Sequence, residues 1–155
     1  MTEHGCPGSR MMDMRQVGTE TVEETGTRAS QLRQWPVQLH LVGPMAPYYQ
    51  EADVVLAADC VAYALGDFHK DYLSGRSLAI ACPKLDSNQE IYSQKVTALV
   101  DQAKINTLTV MIMEVPCCQG LLNMAKQAVE AAERTIPIKA IVVGIDGKIR
   151  EDTWV

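Results

Sequence analysis

What this chain lacks narrows what it can do. Aromatic residues occupy only 5% of its 155 positions, and Lys and Arg never cluster beyond a pair. A surface that stacks bases and tracks phosphates needs both, so no nucleic-acid partner is expected. A net charge of −5 and a pI near 5.1 argue equally against an anionic membrane surface. No apolar run approaches the roughly 20 residues of a membrane-spanning helix. The opening "MTEHGCPGSRMM" has no secretory apolar core. These absences predict a cytoplasmic protein without a membrane partner. Also missing are a G-x-G-x-x-G fingerprint and a P-loop, and Gly43 and Gly144 stand alone, so a nucleotide or flavin module has weak support.

A chain of this length can bury roughly two-thirds of its unfolded surface in one domain, so it needs neither disulfide nor metal to fold. A bound metal would be there for function. Five cysteines, an odd number in a reducing compartment, fit a disulfide framework poorly. They are better read as buried, catalytic or metal-binding.

Residues 1–35 have little apolar content outside "MMDM" and no helical or strand period, which predicts a mobile arm carrying the "CPGS" motif; "SQLRQW" (30–35) suggests one helical turn at its end. From residue 36 to 155 apolar runs alternate with helical patterns. The runs are "VQLHLVG" (37–43), "ADVVLAAD" (52–59), "SLAIAC" (77–82), "TLTVMIMEV" (107–115) and "IKAIVVGI" (138–145). Several are apolar at consecutive positions, as a sheet covered on both faces requires.

Ser87 with Glu90 makes a capping box ahead of an apolar face running from Ile91 to Ala103, and a second helical face runs from Leu121 to Ala132. A weaker helix over Val61 to Leu73 is interrupted near Gly66. Asp146-Gly147 predicts a hairpin turn into a short last strand. The alternation implies parallel pairing and a three-layer α/β sandwich of about five mostly parallel strands, flavodoxin-like or Rossmann-like. Strand order is not legible, and a homodimer is left open.

Ligands of such sheets bind at the carboxyl ends of the strands. Cys60 ends the second run, Cys82 ends the third, and Cys117 and Cys118 follow the fourth, just before a helix. Any one of them alone is as readily a buried structural thiol. Four on one edge point to a shared thiolate site. The helix beginning near Gln119 should lower the pKa of the adjacent pair, and Gly120 lets backbone approach closely.

Several strings resemble a family of cytosolic 4Fe-4S ferredoxin-type, iron–sulfur cluster-binding proteins of anaerobic bacteria. They are "GCPGSR" (5–10), "SQLRQWPVQLHLV" (30–42), "ADVVLAADCVAYALGDFHKDYL" (52–73), "CPKLD" (82–86), "MEVPCCQGL" (113–121) and "VGIDG" (143–147). Members usually carry an N-terminal ferredoxin module with two C-x-x-C-x-x-C-x-x-x-C runs, which this sequence does not contain. The resemblance implies a redox role, as an oxidoreductase component or electron carrier, with electrons supplied by a separate ferredoxin-like or other redox protein. A tandem Cys pair on a flavodoxin-like sheet is also similar to the cluster-bearing small subunit of respiratory NADH dehydrogenases.

The expected ligands of a 4Fe-4S cluster are therefore Cys60, Cys82, Cys117 and Cys118, with Cys6 joining from the arm. A zinc site on the same cysteines is the first alternative, although zinc knuckles normally use closely spaced pairs. A metal-free thiol enzyme or sulfur carrier, using Cys117 or Cys118 as nucleophile, is the second. A protein-binding domain with buried thiols is the third. Glu114 is either a proton carrier or an exposed strand end, and Lys84 either offsets thiolate charge or is a solvated loop lysine. Asp59 and Asp86 flank the cysteines, and His69 is either a ligand or proton donor or, the favoured reading for a lone His in such a segment, a surface or capping residue.

Overall fold

The computed structural model describes residues 11–13, 15 and 26–155. In chain order the strands are β1 (Met12–Asp13), β2 (Gln34–Trp35), β3 (Asp53–Ala58), β4 (Ser77–Ala81), β5 (Thr107–Met113), β6 (Ile138–Val143) and β7 (Ile149–Trp154). The first two form a small antiparallel pair; the other five make one sheet in the order β4-β3-β5-β6-β7. Four of these are parallel, with Ala58 opposite Ala81, Ala57 opposite Met111, and Met113 opposite Val143. Only β7 runs antiparallel, against β6.

The helices are α1 (Val61–Ala64), α2 (Glu90–Asp101) and α3 (Gln119–Ala131), with a π-helical segment at Phe68–Leu73. The crossovers β4 to β5 and β5 to β6 step across the sheet in one direction, and β3 to β4 steps in the other. Right-handed connections then put α2 and α3, which pack together, on one face and the α1 and π-helical segment on the opposite face. This explains the unbroken apolar strands: Val54 to Ala58 and Leu108 to Met113 are buried throughout. Leu56, Val110, Met111 and Ile141 form the middle of the core, with Val96, Leu99, Leu121 and Ala125 packed on it from the helices.

Three local expectations are corrected. Residues 37–43 do not form a full strand: Gln38 makes a single parallel bridge with Ile80, and the chain then turns. The Lys95 ammonium donates to the carbonyls of Leu39, His40 and Val42 at 2.8, 2.8 and 2.9 Å, taking the acceptors a longer ladder would use. The Ser87/Glu90 capping box is not made; α2 starts without a side-chain cap, and the Ser87 carbonyl instead meets His40 Nε2 at 2.6 Å.

The helical turn expected over 30–35 is replaced by β2. Its Gln34 is 1% exposed and grips β4 as a backbone neighbour would, accepting the Leu78 N–H at 2.7 Å and donating to the Leu78 carbonyl at 2.8 Å. The boundary placed between residues 35 and 36 thus falls beside a buried side chain. By contrast, the 61–73 helix is interrupted as expected, and Gly147 turns the β6–β7 hairpin with φ of 81°.

Candidate functional site

In this strand order the connections leaving β3 and β5 diverge to opposite faces, which opens a crevice between their carboxyl ends. The cysteines stand there. Cys60 follows β3 and opens α1, while Cys117 and Cys118 lie in a 3-10 turn, Pro116–Cys118, that runs directly into α3. Pro116 starts that turn, where its fixed φ suits the first helical position and its missing N–H costs nothing. Cys60 and Cys117 are exposed; Cys118 is buried.

Burial pushes the Cys118 thiol above its ordinary pKa, a hydrogen bond with the Met113 backbone pulls the other way, and the neighbouring Cys117 and Cys60 thiols push it up further. The helix terminus was expected to lower the pKa of both members of the pair. For Cys118 that expectation is reversed, because desolvation by burial is the largest influence on it. The Cys118 thiol thus lies within electrostatic range of the Cys117 and Cys60 thiols, which leave from two neighbouring strands.

Cys82 lies on the neighbouring exit, directly after β4, and is half-buried. Its loop reaches the same crevice from the side. A Cβ built at Gly120, in the first turn of α3, would stand 3.4 Å from the Cβ of Pro83. The space beside Gly120 is thus bounded by the Cys82 loop. Within that loop Leu85 donates its N–H to Cys82 Sγ at 3.4 Å. Among the described residues, no three His, Cys, Asp or Glu side chains gather tightly enough to hold a metal ion as they stand. Cys6 and its CPGS motif lie outside the described residues.

The remaining candidates fall around this edge. Glu114 is an exposed strand end: its carboxylate takes the Arg150 Nε at 2.9 Å, and its own N–H donates to the Val143 carbonyl at 2.8 Å. Lys84 is exposed. His69 Nδ1 accepts the Gln31 N–H at 3.0 Å on the surface, as a capping residue would. Asp59 has its carboxyl pushed above the usual range by desolvation and by the Asp86 carboxylate.

Sequence reasoning missed Arg150 altogether and, having placed Asp86 beside the cysteines, missed its role. Arg150 pairs with both Glu114 and Asp146 and lies so close over Gly144 that a Cβ there would meet its guanidinium at 2.8 Å. Asp86 proves to be the hub of the Cys82 loop. Its place in "CPKLD", four residues after a cysteine, was the available signal, while nothing local marks Arg150.

Comparison with known proteins matches residues 46–155 to a family described as Rossmann-like domain. A protein of Archaeoglobus fulgidus, described as an uncharacterized protein, is 30% identical over 120 residues, spanning 77% of this chain and 83% of its own length. No solved structure matches. These findings overturn the ferredoxin-type family assignment suggested by the quoted strings. "CPKLD", "MEVPCCQGL" and "VGIDG" all lie inside the matched region, where they form strand ends and strand-exit loops of the sheet. By its sequence match over most of its length, and with the five-stranded, mostly parallel sheet to go with it, the chain belongs to the Rossmann-like domain family.

Proposed function

We propose that the chain is a cytoplasmic redox protein whose strand-exit cysteines Cys60, Cys82, Cys117 and Cys118 hold an iron–sulfur cluster, of the 4Fe-4S type, with Cys6 as a further donor. One observation carries the reading: Cys82, Cys60 and the Cys117–Cys118 pair follow the carboxyl ends of three adjacent parallel strands, and the Cys82 loop lies against the helix that follows the pair. Thiolates brought together repel one another unless a cation offsets their charge, and thiolate-rich sites select iron–sulfur or zinc.

A single zinc ion needs every sulfur at about 2.3 Å from one point. A cluster several atoms across takes ligands spread more widely, which suits cysteines drawn from three separate loops. The metal-free nucleophile reading is least favoured at Cys118, since a reactive thiol is lowered in pKa and this one is raised. Membership of the family does not by itself supply a nucleotide. The turn after β3 carries a carboxylate, Asp59, which disfavours a phosphate there, and α1 spans only Val61–Ala64.

Electrons would pass to or from a ferredoxin-like or other redox protein docking on this edge. Tyr63, Leu85, Val115 and Ile145, one from each parallel strand exit, are exposed apolar side chains placed to meet it. No helix among the described residues is long and apolar enough to cross a membrane. Anaerobic purification with iron and acid-labile sulfide determination tests the reading. Iron with sulfide and a broad brown absorbance supports it, and colourless protein loaded with zinc, or free of metal after reconstitution, overturns it.

A further inference from the structure

The loop that carries Cys82 is held by more bonds than a surface turn of its length needs, and they converge on one carboxylate. Asp86 Oδ2 accepts the Cys82 N–H at 2.9 Å and the Gln38 amide at 3.2 Å, and it takes the Tyr92 hydroxyl hydrogen as well. The Asp86 N–H in turn donates to the Cys82 carbonyl at 3.1 Å, closing the loop on itself. Each of these donors sits on a different support: Gln38 on the segment bridged to β4, Tyr92 in the buried face of α2, and Cys82 at the end of β4 itself. With its backbone fixed at both ends, the loop turns the Leu85 N–H onto Cys82 Sγ at 3.4 Å.

We infer that Asp86 is a positioning residue for the thiol site: by binding the Cys82 N–H while anchored to Tyr92 and Gln38, it fixes the loop that presents Cys82 Sγ, and the Leu85 N–H bonded to it, to the crevice. A carboxylate suits this role because it is acceptor-only and its lone pairs can serve several donors at once. The Tyr92 hydroxyl, whose pKa is raised by burial and by Asp86, stays protonated and keeps donating. The inference rests on the iron–sulfur reading only for what Cys82 holds; the positioning itself is a property of the metal-free chain.

The test uses amide hydrogen exchange on the reduced, metal-free protein together with iron and sulfide uptake on anaerobic reconstitution with ferrous iron and sulfide. In Asp86→Ala the Cys82 and Leu85 amides should exchange about tenfold faster or more, the scale of one lost hydrogen bond to a charged group, with β5 amides unchanged. Asp86→Asn, which keeps an acceptor oxygen, should restore most of the protection and guards against a variant that fails to fold. Iron uptake should fall in Asp86→Ala and in Cys82→Ser, and the double variant should be no worse than either alone. Unchanged Cys82 and Leu85 exchange in Asp86→Ala, or full iron uptake in it beside a loss in Cys82→Ser, would overturn the inference. If the wild-type chain takes up no iron, the cluster reading fails, while the exchange rates still decide the role of Asp86.

Discussion

Pro83 faces Gly120 across the crevice, and a Cβ added at position 120 would fall 3.4 Å from the Cβ of Pro83. That separation is an ordinary van der Waals contact, so one methyl fits and anything longer must displace the Cys82 loop. Gly120→Ala should fold normally and gain about 0.5–1 kcal/mol from the lower backbone entropy cost of alanine in a helix. Gly120→Leu should leave the helical circular dichroism intact and lower iron uptake. Equal uptake by the wild type and Gly120→Leu would show that the loop contact is irrelevant to the site.

The hairpin glycine is constrained twice. Gly147 has φ of 81°, and a Cβ there would meet the Ala64 carbonyl oxygen at 2.6 Å. Gly147→Ala should cost about 1–3 kcal/mol in denaturant unfolding. Gly147→Asn separates the causes. Asparagine tolerates positive φ, so a cost comparable to that of alanine assigns the penalty to the collision, and a small cost assigns it to φ.

Gln34 replaces a missing strand at the outer edge of β4. Gln34→Leu would leave the Leu78 N–H without its acceptor in a buried setting, while Tyr49 O–H still donates to the Leu78 carbonyl at 2.8 Å. The expected loss is about 2–3 kcal/mol, read from the urea midpoint at unchanged m-value.

Asp101, the last residue of α2, accepts the backbone N–H groups of Glu133 and Arg134 just beyond α3, each at 3.0 Å through Oδ1. The Arg134 and Glu133 amides hold its carboxyl below the ordinary value. With the folded pKa depressed, this stabilisation is complete above the unfolded value of about 3.9 and is lost as pH falls from there through the folded value. Asp101→Asn should therefore be less stable than the wild type at pH 7, with the gap narrowing on acidification below pH of about 4. A constant gap across that range would assign the loss to something other than this titration.

Much of the sheet was legible because burial on both faces writes a local signature. Runs such as "VVLAA" and "TVMIM" carry it without reference to any distant residue. The cysteines could be placed on one edge for the same reason, since each follows an apolar run. What stayed hidden depends on partners far along the chain. The order that sets β3 beside β5 has no local mark, and neither does the Lys95 ammonium that stops a strand at residue 39 from 56 positions away. Gln34 reads as a surface amide until Leu78 is beside it. Residues in strand-exit loops can also resemble a family through short strings, and here the match over residues 46–155 outweighed them.

Native mass spectrometry of the anaerobically purified chain, set beside Cys118→Ser, tests the central claim most directly. The account predicts a wild-type mass raised by iron and sulfide in equal numbers and an increment lost or reduced in the variant. A wild-type mass equal to that of the bare polypeptide, or raised by a single zinc ion, would contradict it.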